Sequence, residues 1–107
     1  MKKYFGRQNQ DAAGPIDIFV SADGKTTKLT HIVRHSPDGF QIGYSGSGPA
    51  DTALSILTDC VGLNVANAFY REFKFQFVAG WKESFEITEK EIKDWLKSES
   101  LERNCNE

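Results

Sequence analysis

The sequence predicts an α+β domain, an antiparallel β-sheet packed on one face by a central helix and a C-terminal helix. Three observations carry that prediction. Several segments alternate bulky apolar with polar residues, two stretches carry helix start signals, and 107 residues hold too few strand–helix–strand units for a doubly wound sheet.

Taken in order, Tyr4-Phe5 reads as a short first strand. Ile16, Ile18 and Val20 then alternate with Asp17, Phe19 and Ser21, and the turn pair Asp23-Gly24 precedes a second alternating segment from Thr27 to Val33, which together make a β-hairpin. Phe40 to Tyr44, aromatic at both ends and flanked by Gly39 and Gly46, reads as another strand. The central helix starts near Pro49, whose missing N–H costs nothing at a first helical position. Ser47 or Gly48 would be the cap, and Asp51 would complement the positive helix end. It runs to about Val61, with Ala50, Ala53, Leu54, Leu57 and Val61 on one face, Ile56 and Cys60 widening it, and Gly62 as the stop. Phe69, Arg71, Phe73, Phe75 and Phe77 alternate with Tyr70, Glu72, Lys74, Gln76 and Val78, a period of two that predicts a strand with one apolar face. The closing helix opens with the capping box Thr88-x-x-Glu91 and the hydrophobic staple Ile87 with Ile92, and it turns Ile92, Trp95 and Leu96 to the core. Trp81 and Trp95 are core or core-edge anchors. After Ser98 the chain is polar and is expected to fray, leaving a single domain over 1–98 and a tail over 99–107.

With 13 Lys+Arg against 15 Asp+Glu and a net charge of -2, the chain lacks the positive field of a phosphate-backbone binder and the strongly acidic surface of a DNA mimic. Bulk nucleic-acid binding is not expected. The basic start Met1-Lys2-Lys3 has no apolar run behind it, so no signal peptide is expected, and no apolar run reaches membrane-spanning length. Cys60 and Cys105 lie in different settings, one apolar and one polar, which fits a reducing cytoplasm better than a disulfide framework. Cys60, Cys105, His31 and His35 show no metal-ligand spacing, and no cofactor is implied.

The informative segment lies between His35 and Asp51, where four of the nine glycines fall. A Gly/Ser loop running into a helix N-terminus converges unpaired N–H groups and the helix dipole on one point, an arrangement suited to anions. No Lys follows the glycines as Walker A requires, Asp51 stands where the dinucleotide fingerprint needs its third Gly, and Gly43 to Ser47 ends in Ser where the nucleophile elbow needs Gly. Asp51, placed in the first turn, would also weigh against phosphate. The alternative to a ligand-contacting loop is a tight structural corner in which the glycines permit close backbone approach. The candidate binding set is Arg7, Arg34, His35, Ser36, Tyr44, Ser45, Gly46, Ser47 and Gly48. No catalytic residue is assigned, although Ser45 or Ser47 with His35 or His31, and Asp38 or Asp51 as orienting acid, would be the elements of a small hydrolase.

Over His35-Ser36-Pro37-Asp38-Gly39-Phe40-Gln41-Ile42-Gly43-Tyr44-Ser45-Gly46-Ser47-Gly48-Pro49-Ala50-Asp51-Thr52-Ala53-Leu54 the chain resembles an uncharacterised small protein family of bacteria, plasmids and phages. That family carries a pattern close to H-S-P-x-G-F-x-W-G-Y-x-G-S-G-P-A-D-L-A-L, from which this chain departs at Ile42 and Thr52. The resemblance extends to Tyr4-Phe5-Gly6-Arg7, to Phe73-Lys74-Phe75 and to the closing helix. It implies no activity, but it implies a mobile-element setting in which small proteins bind and block host machinery. The expected function is therefore a non-enzymatic binding protein, acting on a host protein or small ligand through the Gly/Ser corner. A nucleotide or nucleotide-signal binder is the first alternative and a small hydrolase the second. Exposed aromatics leave a homodimer open, with Phe5, Phe19, Phe69 and Tyr70 as the residues whose exposure decides it.

Overall fold

A computed structural model of the chain describes residues 2–7, 15–35 and 39–105, the side chains of 102–105 excepted. Four antiparallel strands, β1 (Lys3–Arg7), β2 (Ile18–Ala22), β3 (Lys25–Lys28) and β4 (Ser84–Thr88), form one sheet in the order β3-β2-β1-β4. Among the described residues three helices, α1 (Ser47–Val61), α2 (Leu63–Gln76) and α3 (Glu89–Cys105), accompany it, with a 3-10 turn over Val78–Gly80. The architecture is the predicted α+β class.

The β2–β3 hairpin turns on Asp23 and Gly24, both at positive φ, as a two-residue turn of the hand that matches strand twist requires. Its first strand begins two residues late, at Ile18, and its second is misplaced: it spans Lys25–Lys28, so of the expected Thr27 to Val33 only Thr27 and Lys28 are in the ladder. The chain beyond leaves the ladder after one further bond, from the Leu29 N–H to the Ile18 carbonyl at 2.8 Å. Tyr4, Ile18, Val20, Phe85 and Ile87 point to one side of the sheet and are buried against Ala53, Leu54 and Leu57 of α1, Phe73 of α2 and Ile92 of α3.

Three expectations fail, each for a local reason. Phe69 to Val78 is not a strand: the segment lies in α2 up to Gln76 and enters the 3-10 turn at Val78. Phe69, Phe73 and Phe77 are four apart, and with Ala66 and Tyr70 they form a helical stripe that coincides with the alternation over ten residues. Arg71, Glu72, Lys74 and Gln76, good helix formers, occupy the intervening positions. Phe40 to Tyr44 is not a strand either; it contributes one bridge, Ile16 to Phe40, because Gly39 and Gly43 at positive φ turn the chain out of extended conformation. The closing helix extends past the expected end at Ser98, to Cys105, and Glu99 on it accepts a bond of 2.9 Å from the Gln76 side-chain amide. Strand β4 was not anticipated, although Phe85 and Ile87 alternate with Ser84, Glu86 and Thr88.

The capping box forms as expected. The Glu91 N–H donates to the Thr88 hydroxyl at 3.1 Å and the Thr88 N–H to the Glu91 carboxylate at 3.3 Å, with Ile87 and Ile92 buried beside them. Gly62 is both the end of α1 and the start of α2. Its N–H donates to the Thr58 carbonyl at 2.9 Å, its carbonyl accepts from Ala66 at 3.1 Å, and its φ of 91° reverses the chain in one residue. The α2 stripe then packs with Trp81 and Trp95, whose indoles meet Phe73 edge-on at 6.3 and 5.4 Å between centroids.

At the other end of the core, Tyr4 on β1 reaches α1 and donates its hydroxyl to Asp59 at 2.7 Å. Burial first, and then this bond to a carboxylate, hold the Tyr4 hydroxyl well above the usual phenol range.

Two predictions follow from these placements. On a strand Phe73 and Phe75 would share a face, whereas on α2 Phe73 is fully buried and Phe75 is 62% exposed. Urea denaturation is expected to give a loss of about 3–5 kcal/mol for Phe73→Ala and within about 0.5 kcal/mol of wild type for Phe75→Ala. For Tyr4, the unfolded chain ionises its phenol near about pH 10 while the folded chain retains the proton, so this contribution is intact below that pH and is lost as pH rises beyond it. Between about pH 9 and about pH 11, wild-type stability should therefore fall more than that of Tyr4→Phe.

Candidate functional site

Between β3 and α1 the described residues form no ladder beyond the Leu29 bond and the bridge at Phe40, so their backbone N–H groups need other acceptors. Polar side chains of α1 supply them. Asp51, with no exposed surface, accepts from the backbone N–H of His35 at 2.9 Å and of Arg34 at 3.2 Å, and its Oδ2 lies 3.0 Å from Nε2 of His31. Facing a carboxylate, that nitrogen carries the proton. One turn along, the Ser55 hydroxyl accepts from the Ile32 N–H at 2.9 Å. Thr52 Oγ1 accepts from the Gln41 N–H at 3.1 Å and shares its own proton between the carbonyls of Gln41 at 2.8 Å and Gly48 at 3.1 Å.

This corrects two expectations about the helix start. The cap position is Gly46, not Ser47 or Gly48; it makes no side-chain cap bond, and Pro49 falls third in the helix. Asp51 lies beyond the first turn and faces inward, so it does not complement the helix end. The N–H groups of Ser47 and Gly48 precede any possible intrahelical acceptor. Gly48 itself is structural: a Cβ there would come within 2.0 Å of the Gln41 side-chain oxygen. Gly43 combines a φ of 89° with a position 3.0 Å from the Trp81 carbonyl oxygen for any added Cβ.

The expected site residues separate into groups. His35, Gly46 and Ser47 come together with Ala50 in a depression of about 340 Å³, whose other wall is Tyr70, Arg71, Lys74 and Phe75 of α2. His35 stacks on Tyr70 with centroids 5.8 Å apart, its Nε2 3.1 Å from the Tyr70 hydroxyl. Arg34 reaches α2, where its guanidinium donates to the Asn67 side-chain oxygen. Tyr44 and Ser45 are exposed on the loop leading into α1, and Tyr44 donates its hydroxyl to Gln41. Arg7 stands apart, at the end of β1 in a separate groove with Phe5, Phe19, Ser84 and Glu86. Ser36 and Asp38 lie outside the described residues.

Sequence reasoning missed the α2 wall altogether. Tyr70, Arg71, Lys74 and Phe75 are spaced i, i+1, i+4 and i+5, one face of a helix, and that spacing was masked once the segment was read as a strand. Among the described residues neither Arg71 nor Lys74 forms an ion pair; Arg71 lies 5.8 Å from the Tyr70 ring and Lys74 4.5 Å from the Phe75 ring. The depression thus joins a helix start, two cations and an exposed aromatic.

The described hydrogen bonds of the histidines go to Asp51 and Tyr70, and no serine hydroxyl is among their described partners. Burial, followed by the nearby Glu89 carboxylate, pushes the Cys60 thiol up, away from the reactive thiolate. Among the described residues no three His, Cys, Asp or Glu side chains gather as metal ligands, and no helix is long and apolar enough to cross a membrane.

Asp51 governs the corner, which gives a direct test. Asp51→Ala strands two backbone donors and is expected to cost about 3–5 kcal/mol, whereas Asp51→Asn keeps an acceptor and should cost about 1–2 kcal/mol. Hydrogen exchange should place the greatest loss of protection at the Arg34 and His35 amides.

No curated protein and no solved structure matches the chain. A family model does match, over residues 4–98, from β1 through the whole Gly/Ser corner and into α3. By that match the chain belongs to the Family of unknown function (DUF6166).

Proposed function

We infer that the protein is a small non-enzymatic binding module whose working surface is the depression between the Gly/Ser corner and α2. The observation that carries this reading is the composition of the two walls: the start of α1, with Gly46 and Ser47, on one side, and Arg71, Lys74 and the exposed Phe75 on the other. Cations beside an aromatic on a shallow, open surface suit an acidic segment with an apolar side chain better than they suit a buried substrate. The hydrogen bonds from the corner to Asp51, Thr52 and Ser55 support the same reading, because backbone already tied down has less conformational entropy to lose on binding.

The partner is a host protein presenting an acidic segment. The resemblance to a family spread among bacteria, plasmids and phages supports a partner outside the element that encodes the chain, and the near-neutral overall charge favours a local contact over a bulk polyanion. Hydrolysis finds less support, since Asp51 and Tyr70 occupy the described hydrogen bonds of both histidines.

Affinity capture from host lysate, quantified by mass spectrometry, tests the reading. A variant combining Arg71→Glu, Lys74→Glu and Phe75→Ser should fold as wild type by circular dichroism and lose about tenfold or more of the specifically captured protein. Equal capture by the folded variant would remove the depression as the working surface.

A further inference from the structure

The face of the sheet turned away from the helices bears a pattern that the corner does not use. Lys3, Phe5 and Arg7 of β1 share this face with Phe19 and Ser21 of β2, Thr26 and Lys28 of β3, and Ser84, Glu86 and Thr88 of β4. Asp17, just before β2, continues the register opposite Arg7. The only aromatics among them are Phe5 and Phe19, paired across the two central strands with ring centroids 5.7 Å apart. Across the sheet their row reads Lys28, Phe19, Phe5, Glu86: a cation at one edge, an anion at the other and an apolar centre.

We propose that this face is a self-complementary interface through which two copies of the chain form a two-fold dimer. The charge pattern selects the axis. A two-fold axis running between β1 and β2, parallel to the strands, sets each row against its own reverse. Lys28 then meets Glu86 of the second copy, Arg7 meets Asp17, Lys3 meets Ser21, and Phe5 meets Phe19. An axis across the strands would instead set Lys28 against Lys28, Glu86 against Glu86 and Lys3 against Arg7, so like charges exclude it.

The groove beside Phe5, about 480 Å³ and lined by Arg7, Ser84 and Glu86, is the recess that Phe19 of the second copy enters. Within one chain Lys28 lies 3.8 Å from Asp17 and Lys3 3.8 Å from Glu86, loose contacts at exposed side chains that leave these groups able to bridge the interface. Among the described residues Arg7 forms no ion pair at all. Four strands about 4.8 Å apart and about five residues long make a patch roughly 19 by 17 Å. That is less than a stable, permanent interface buries, so the dimer is weak and reversible. The helices pack on the opposite face, which leaves both corner depressions open in the dimer.

Sedimentation velocity on the full chain, from low micromolar to submillimolar concentration, tests this independently of the binding reading. Wild type should show a monomer–dimer equilibrium that weakens with salt. Phe19→Ser should raise the dissociation constant about tenfold or more. Lys28→Glu and Glu86→Lys should each weaken association, and the double exchange Lys28→Glu/Glu86→Lys should restore it. Because both charged residues are exposed, the exchange stays informative even where Phe19→Ser fails to fold. A chain that stays monomeric throughout, a dimer indifferent to Phe19→Ser and without charge-exchange rescue, or a dimer broken by Phe75→Ser would each overturn the proposal.

Discussion

The buried carboxylate of Asp51 is the interaction on which the irregular half of the molecule depends. The chain between β3 and α1 carries backbone donors, those of Ile32, Arg34 and His35, that find their acceptors on side chains of α1. Burying a carboxylate is costly, and it becomes favourable here because charge-assisted bonds from two backbone N–H groups and an imidazole converge on it. Thr52 and Ser55 repeat the device with neutral hydroxyls along the same side of α1. The consequences spread outward. Holding residues 31–35 against α1 sets the His31 ring 4.7 Å from Phe40, whose bridge to Ile16 closes the end of the sheet, and it lays His35 on Tyr70. The depression exists because that carboxylate is where it is.

The part of the fold legible in the sequence was the part governed by short-range chemistry. Asp23-Gly24 fixed its turn, Thr88 and Glu91 fixed their helix start, and Gly62 ended α1, because in each case one or two residues satisfy a local geometric demand. The α2 assignment failed where two periodicities overlap: aromatics at 69, 73, 75 and 77 satisfy a period of two, while those at 69, 73 and 77 also satisfy a helix. Only Phe75, exposed beside Lys74, separates the readings, and no local rule announces exposure. Asp51 was misread for a related reason. An acid a few residues into a helix looks like a dipole partner, and its role as acceptor for a segment sixteen residues earlier depends on tertiary contact.

The candidate site was half legible for the same cause. Its loop side, His35, Gly46 and Ser47, lies in the unusual segment that composition singles out. Its helix side, Tyr70, Arg71, Lys74 and Phe75, could be found only after α2 was recognised. Some of the conspicuous glycines answer to packing: Gly43 to its backbone angle and Gly48 to the approach of Gln41. The structural and ligand-contacting explanations of that loop are therefore not rivals. Packing fixes Gly43, Gly48, Asp51 and Thr52, and what it leaves exposed is the surface formed by Ser47 and the side chains of α2.

A one-sided sheet also dictates how two surfaces share so small a chain. With the helices on one face, every outward residue of β1 and β2 is either solvated or available to a partner, and a large aromatic there is destabilising to hydration unless it stacks. Phe5 and Phe19 stack on each other while remaining only partly covered. Polar residues at both positions would have served a solvated face better. The charges at its edges oppose one another across the sheet, with Lys28 on β3 and Glu86 on β4, because the order β3-β2-β1-β4 brings the last strand of the chain alongside the first. That crossover makes the outer face antisymmetric, and antisymmetry is what an isologous contact requires. The corner has no such symmetry: its helix start, Arg71 and Lys74 present one sign of charge, which two copies of the same surface could not neutralise.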